Sequence, residues 1–428
     1  MMKKSSRMKT ILLAGVLALG MCLSSMTAMA EEITEENQAT LGNVRTITKT
    51  LQLPEGMNID SDLTFNFTAT SETADAPTAT IQSVIFETTD FNKTTADGDT
   101  YTNGLASLEE TTQVTFGNFT KPGKYVYEIK EKITYQGAPD DADPNTLDTY
   151  AGEGIRYAEN EYTMYVYVER TDDEDAASAG TAADGTKLTI TAVTVTKKGD
   201  DANGQNTKLG SIDFTNVLYQ NGGGDVKPNP EDETQRDVSL TISKQLSSSF
   251  GQADIAFPFK ITLTKSGTET NATASYSVEK YLANGQKDTT FETGGTGTVT
   301  VGSEFEFTLK AGEKLVFPEL PAGTRYDVTE VNSTDATKAD GYIPSYTVTE
   351  DGGTPYTQNA AGSDGTDLST GSRLVGEDAN NVVFTNNSED IAITGIFMDI
   401  LPFAILIAAA VAGLTVYIVV RKKVRAAR

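Results

Sequence analysis

The chain of 428 residues has no His, no Trp and a single Cys, so it can build neither a Ser-His-Asp triad nor a Cys-His pair nor a His/Cys zinc site. Its 34 Lys and Arg against 60 Asp and Glu leave a formal charge of −26, which repels nucleic-acid phosphates and anionic lipid. No glycine-rich phosphate cradle follows a strand and opens a helix, so neither a nucleotide nor any other cofactor is expected.

In chain order, residues 1–30 read as a secretory signal peptide. Lys3, Lys4, Arg7 and Lys9 precede an apolar run over Ile11–Leu19, and Ala28-Met29-Ala30 supplies the small-residue cleavage site. That run is shorter than the ~20 residues a membrane span needs. Cys22 lies within the signal peptide, so the mature chain, beginning near Glu31, is expected to carry no disulfide. Residues 31–40 form a loose Glu-rich leader. From 41 to 388 the pattern is β throughout. Alternation is clear over Leu63–Phe67, Tyr162–Val168, Leu188–Val193 and Glu304–Leu309, with Gly, Asn, Asp and Pro as punctuation. The stretch from Gly222 to Pro230 has no apolar period and marks a linker, placed at 220–236. It divides an all-β ectodomain into 41–219 and 237–388, each expected to be a β-sandwich.

Two acidic stretches are set aside. Asp141 to Asn145 begins like a calcium loop, but Thr146 stands where the turn needs Gly and Gly152 where the bidentate Glu belongs. Thr171 to Asp175 reads as a solvated acidic loop. No metal site is expected.

Beyond 388, residues 400–420 are apolar for long enough to cross a bilayer, and Arg421, Lys422, Lys423, Arg425 and Arg428 form a basic tail (421–428) that stays in the cytoplasm. Just upstream, residues 391–395 read Ile-Ala-Ile-Thr-Gly. A Thr-Gly pair, an apolar span and a basic tail together resemble the cell-wall sorting signal of Gram-positive surface proteins. The resemblance implies sortase cleavage between Thr394 and Gly395, with Thr394 as acyl donor. The usual motif carries a Pro that Ile391, Ala392 and Ile393 do not supply. Removing the signal and everything after Thr394 leaves 25 basic against 59 acidic residues, a net charge of −34.

The two halves repeat three patterns in one order. Each opens with a Lys among alternating apolar residues: Ile47-Thr48-Lys49-Thr50-Leu51 and Leu240-Thr241-Ile242-Ser243-Lys244-Gln245-Leu246. Each has a mid-domain strand ending on an acid after a Gly turn, Gly123 to Glu131 and Gly323 to Glu330. Each closes on Phe-Thr-Asn, at 214–216 and 384–386. Phe65-x-Phe67 and Phe257-x-Phe259 follow the two lysines. Period-2 geometry puts Lys49 on the face of Ile47 and Leu51, and Lys244 on that of Ile242 and Leu246. If that face is the core, a Lys, a Glu and an Asn are all buried, which is costly unless they meet. Burial lowers a Lys pKa and raises a Glu pKa, so a neutral amine can coexist with a protonated acid. The amine is then a nucleophile, and the acid can polarise the carboxamide and shuttle protons as ammonia leaves. The product is a Lys-Asn isopeptide bond.

With the sorting signal, this ordered pattern resembles the Gram-positive sortase-assembled major pilins and their streptococcal-type pilin isopeptide linkage domains. The resemblance implies two tandem Ig-like sandwiches cross-linked Lys49–Asn216 and Lys244–Asn386, assisted by Glu131 and Glu330. It also implies a cell-surface structural protein of a Gram-positive bacterium with no turnover chemistry. Its partners would be a sortase, further copies of itself, and peptidoglycan or a basal pilin. The inter-subunit lysine, in such pilins shortly before the Asn-bearing strand, would be Lys208, with Lys227 in the linker as the other candidate. A wall-anchored adhesin or minor pilin that uses the same domains as a stalk, with a host surface ligand, is the competing expectation.

Overall fold

A computed structural model describes residues 43–96, 100–133, 148–150, 153–199, 207–223, 237–247, 254–291, 297–331, 342–359 and 367–387. The signal peptide, the leader, the sorting motif, the apolar span, the basic tail, Lys227 and the calcium-like loop at 141–145 lie outside the described residues. No helix among the described residues is long and apolar enough to cross a membrane.

The described chain is β, with one three-residue helical turn at Thr289–Phe291. Alternation in the sequence becomes alternation of burial. Along Thr46–Pro54, Ile47, Lys49, Leu51 and Leu53 point inward, and along Glu161–Arg170, Tyr162, Met164, Val166 and Val168 do. In the first domain the sheet ordered Ala79–Ile81, Leu105–Phe116, Thr46–Pro54, Ile212–Tyr219, Glu153–Arg156, Asp148–Tyr150 faces a second sheet. That sheet runs Gly180–Thr181, Lys187–Lys197, Glu161–Arg170, Gly123–Lys132, Leu63–Ser71, Val84–Phe86. The second domain repeats the plan. Leu240–Leu246 lies between Lys314–Phe317 and Asn381–Asn387 in one sheet, and Phe257–Thr264 lies between Glu304–Leu309 and Arg325–Glu330 in the other.

One pairing positions the chemistry. The opening strand of each domain runs parallel to its closing strand, which requires the whole domain to serve as the crossover. The register is the same in both: Lys49 faces Phe214 and Leu51 faces Asn216, while Lys244 faces Phe384 and Leu246 faces Asn386. Each Asn therefore stands two residues ahead of its Lys on the neighbouring strand, on the same inward face. In the first domain these polar side chains divide the core. Ile47, Ile129 and Phe214 belong to one apolar cluster, and Leu51, Phe65 and Leu218 to another.

The domains meet in a dense joint. Glu377 N donates to Gly56 O at 3.0 Å, Gly222 N to Leu320 O at 2.7 Å, Gly223 N to Gly376 O at 3.0 Å and Ala322 N to Gln220 O at 2.8 Å. Ala322 joins the first domain's cluster of Leu51, Leu53 and Met57. Glycine is needed at two points. A Cβ at Gly56, whose φ is +81°, would lie 2.9 Å from Gly376 Cα, and one at Gly222 would lie 2.5 Å from Gly376 O. The start of the segment read as linker is thus tied to the second domain through residues 221–223.

Candidate functional site

Lys49 lies on the first strand, Glu131 near the end of Gly123–Lys132 and Asn216 on the closing strand, and the sandwich brings all three together in its interior. Lys49 and Asn216 are fully buried, and the Glu131 side chain is 1% exposed. Lys49 Nζ stands 2.8 Å from Glu131 Oε1, and Asn216 Nδ2 donates to the same oxygen at 2.9 Å. Asn216 Oδ1 accepts from the backbone N–H of Ala158 at 2.8 Å. Among the described residues Glu131 Oε2 is left without a well-aligned hydrogen bond, although the Ala158 N–H lies close enough to the carboxylate to favour its charged form.

The second domain rebuilds the cluster with Lys244, Glu330 and Asn386, all at 0% exposure. Lys244 Nζ donates to Glu330 Oε1 at 3.0 Å and Oε2 at 2.9 Å, and Asn386 Nδ2 donates to Glu330 Oε1 at 2.7 Å. The sequence repeat is therefore a spatial repeat.

The Phe-x-Phe pattern gains a role that the sequence alone did not assign. Its first ring sits under the amine, with Lys49 Nζ 4.6 Å from the Phe65 centroid and Lys244 Nζ 4.3 Å from that of Phe257. Its second residue stands opposite the acid, Phe67 facing Glu131 and Phe259 facing Glu330. That second ring also packs on the Phe of Phe-Thr-Asn, at 5.3 Å for Phe67–Phe214 and 5.2 Å for Phe259–Phe384. These rings exclude water from the cluster. Burial accordingly pulls Lys49 and Lys244 down to about 8, against the opposing attraction of Glu131 and Glu330. Burial also pushes Glu131 up, although Lys49 and Asn216 oppose it. In the first domain, moving a proton from ammonium to carboxylate is thereby made cheap, and it yields a neutral amine beside a carboxamide with an acid in contact with both.

Lys208 is exposed on the short strand Thr207–Leu209, opposite Thr196 and just ahead of the closing strand. The acidic loop at 171–175 is exposed at Asp172, Asp173, Glu174 and Asp175. Among the described residues no group of acids could hold a metal ion.

Two features escaped the sequence reading. One is the Ala158 N–H, which as a main-chain donor has no residue-type signature. The other is a cage at the domain joint. Lys93 Nζ there lies 2.9 Å from Asp351 Oδ1, 2.8 Å from Glu377 Oε1 and 2.8 Å from Asp378 Oδ2. Asn58 Nδ2 donates to Glu377 Oε1 at 3.2 Å. Beside the cage, Arg325 Nη2 reaches both oxygens of Glu55 at 2.7 Å.

Residues 45–220 match the family described as Spy0128-like isopeptide containing domain, and residues 238–388 match a domain of unknown function, DUF7601. A protein named Pilin from Streptococcus pyogenes serotype M1 is 26% identical over 328 residues, covering 76% of each chain. Among solved structures, the major pilin from Streptococcus pyogenes is 21% identical with a TM-score of 0.32, covering 81% of this chain and 99% of that one. The major pilin T3.2 of the same species is 18% identical with a TM-score of 0.30, covering 80% and 98%. Residues 45–220 thus belong to the Spy0128-like isopeptide domains, and the pilin relatives support a role for the chain as a subunit of a cell-surface pilus.

Proposed function

We propose that this pilin is the shaft subunit of a covalent pilus, joined by a sortase through Thr394 of one copy and Lys208 of the next, and hardened by Lys49–Asn216 and Lys244–Asn386 isopeptide bonds. Each bond forms once, so the protein is its own reagent and no turnover enzyme. The observation that carries this reading is the pair of dry Lys-Glu-Asn clusters in identical parallel register. In each, the amine attacks the carboxamide carbon, the acid relays the proton to the departing nitrogen, and ammonia is released.

The ends of the molecule suit a head-to-tail polymer. The first closing strand runs from the Lys208 side toward the joint with the second domain, and the second closing strand runs onward to Asn387, away from that joint. The acyl donor lies seven residues past Asn387 in the sequence. In a Gram-positive host, cell-surface polymers that survive boiling in detergent as a ladder, and that collapse to monomer on Lys208→Ala, support the shaft. A ladder unchanged by Lys208→Ala moves the junction to another lysine, Lys227 first. A wall-linked monomer with no ladder in the unsubstituted chain gives the stalk of an adhesin instead.

A further inference from the structure

Among the described residues, the carboxamide of the first domain has a contact that its counterpart lacks. Ala158 N–H on Oδ1 and Glu131 on Nδ2 together fix the orientation of the Asn216 amide, oxygen toward the main chain and nitrogen toward the acid. In the second domain Asn386 Nδ2 meets Glu330, but Asn386 Oδ1 is buried with no hydrogen-bond donor among the described residues. Pro344 stands in register with Asn386 on the neighbouring strand, and Ser345 after it, the position matching Ala158, gives Asn386 Oδ1 no hydrogen bond.

We propose that the Ala158 N–H is an oxyanion donor for the Lys49–Asn216 reaction, and that the first domain therefore closes ahead of the second. This inference rests on the cross-linking reading above. Lys49 Nζ forms a bond to Asn216 Cγ, and the carbonyl electron pair moves onto Oδ1, where a fixed dipole already points. The oxyanion then collapses, the Cγ–Nδ2 bond breaks, and the proton lost by Lys49 passes through Glu131 to the nitrogen that leaves as ammonia. Nothing is oxidised or reduced. The Ala158 N–H also neighbours the Glu131 carboxylate, but its 2.8 Å hydrogen bond is to Oδ1, so the main chain serves the oxygen and Glu131 the leaving nitrogen. Among the described residues Glu330 has no such helper and must serve both atoms of Asn386. A preorganised donor of this kind needs no reorganisation as charge develops, and losing one costs about 10²–10³-fold in rate.

The test follows ammonia loss domain by domain. The full chain is made by pulsed cell-free translation in detergent and quenched in acid at timed intervals. Each domain's peptides are weighed, and protease protection of each domain in the same samples separates folding from closure. The expected result is first-domain closure on the order of 10²-fold faster than second-domain closure once each is folded. Lactic acid in place of Ala158, which exchanges the N–H for an ester oxygen and keeps the methyl group, should slow only the first domain, by a similar factor. Equal rates in the unsubstituted chain, or a first domain slower than the second, would overturn the proposal even if the ester chain failed to fold. An unchanged rate in the folded ester chain would overturn it as well. Loss of no ammonia from either folded domain would instead remove the cross-linking reading itself, and this inference with it.

Discussion

Lys49 meets Glu131 and Asn216 in the core of the first domain, and Lys93 meets Glu377 and Asn58 at the joint between domains. The residue types are the same and the consequences opposite. Lys49 has one carboxylate and a phenyl ring for company, so burial outweighs attraction and the amine is pulled toward neutrality. Around Lys93 burial acts in the same direction, but Asp378, Glu377 and Asp351 overcome it and push the pKa well above the ordinary lysine value. An ammonium held by three carboxylates has no lone pair with which to attack. Reactivity here is set by how many acids share the lysine and how dry the site is, and the presence of Lys, Glu and Asn does not by itself confer it.

The sharpest way to break this comparison is by mass. Intact protein spanning residues 31–394 should be lighter than its sequence by two ammonia molecules, and Glu131→Ala or Glu330→Ala should each restore one. Glu377→Ala should restore none, because the joint loses no ammonia to begin with. A third missing ammonia that returns in the Glu377 variant would overturn the distinction. Each open cross-link should also cost its domain roughly 5 kcal/mol by the loop-closure estimate used for disulfides, applied to the 167 residues from Lys49 to Asn216 and the 142 from Lys244 to Asn386. Thermal melting of each domain reads this directly.

Under load the two cross-links should part company. If force enters at Lys208, it follows the first closing strand straight to the joint and bypasses the Lys49–Asn216 bond. In the second domain it must pass from the opening strand to the closing strand, through Lys244–Asn386. Glu330→Ala polymers should therefore release the 142 residues between them, roughly 470 Å at full extension, while Glu131→Ala polymers stay short. Single-molecule pulling that shows equal lengthening in both variants would move the entry point of the force away from Lys208.

Proton counting separates the sites at a finer level. Closure needs exactly one proton shared by Lys49 and Glu131: with two the amine is blocked, with none the leaving nitrogen finds no acid. The rate of first-domain closure should thus be bell-shaped, with its alkaline limb near about 8 and its acid limb above the ordinary Glu value of 4.5. Before closure, a lysine lowered from 10.5 to about 8 binds fewer protons folded than unfolded, so its contribution to stability rises with pH across that window. An Asn216→Ala chain, unable to close, should melt progressively higher from about pH 8 to 10 if this lysine dominates the titration.

The two triads were legible in the sequence because each member sits on an inward position of an alternating strand and the order recurs. Parity put Lys49 on the face of Ile47 and Leu51 and Glu131 on that of Tyr127 and Ile129, the repeated Phe-Thr-Asn ending supplied Asn216, and a second copy made coincidence a poor account. The joint was illegible for the converse reason. Lys93 and Asp351 are 258 residues apart, on segments where charge reads as solvated surface, and they meet only because the domains pack at the joint where Gly56 approaches Gly376. Ala158 was hidden more deeply, since its contribution is a main-chain N–H whose direction depends on where the strand Glu153–Arg156 ends. The Phe-x-Phe pairs were visible as a pattern, but period-2 reasoning gives a face and not a ring-to-amine distance.

The smallest effects lie within the cage and depend on burial. Lys93 is 9% exposed and Glu377 8%, whereas the Asp378 side chain is 58% exposed. Lys93→Met would strand three carboxylates around an apolar group, two of them largely out of water. It should loosen the joint by about 3 kcal/mol, the usual cost of removing one partner from a buried ion pair. Because neither cluster uses Lys93, the mass should still be two ammonia molecules short and each domain should keep its own melting behaviour. Only the coupling between domains should weaken, seen as a larger solution radius of gyration and separated melting steps. Asp378→Asn removes a carboxylate that water already screens, so its cost should fall to about 0.2–1 kcal/mol and shrink further in high salt. Equal losses from the two substitutions would mean that the cage is solvated throughout, and that the contrast between Lys49 and Lys93 owes more to carboxylate number than to burial.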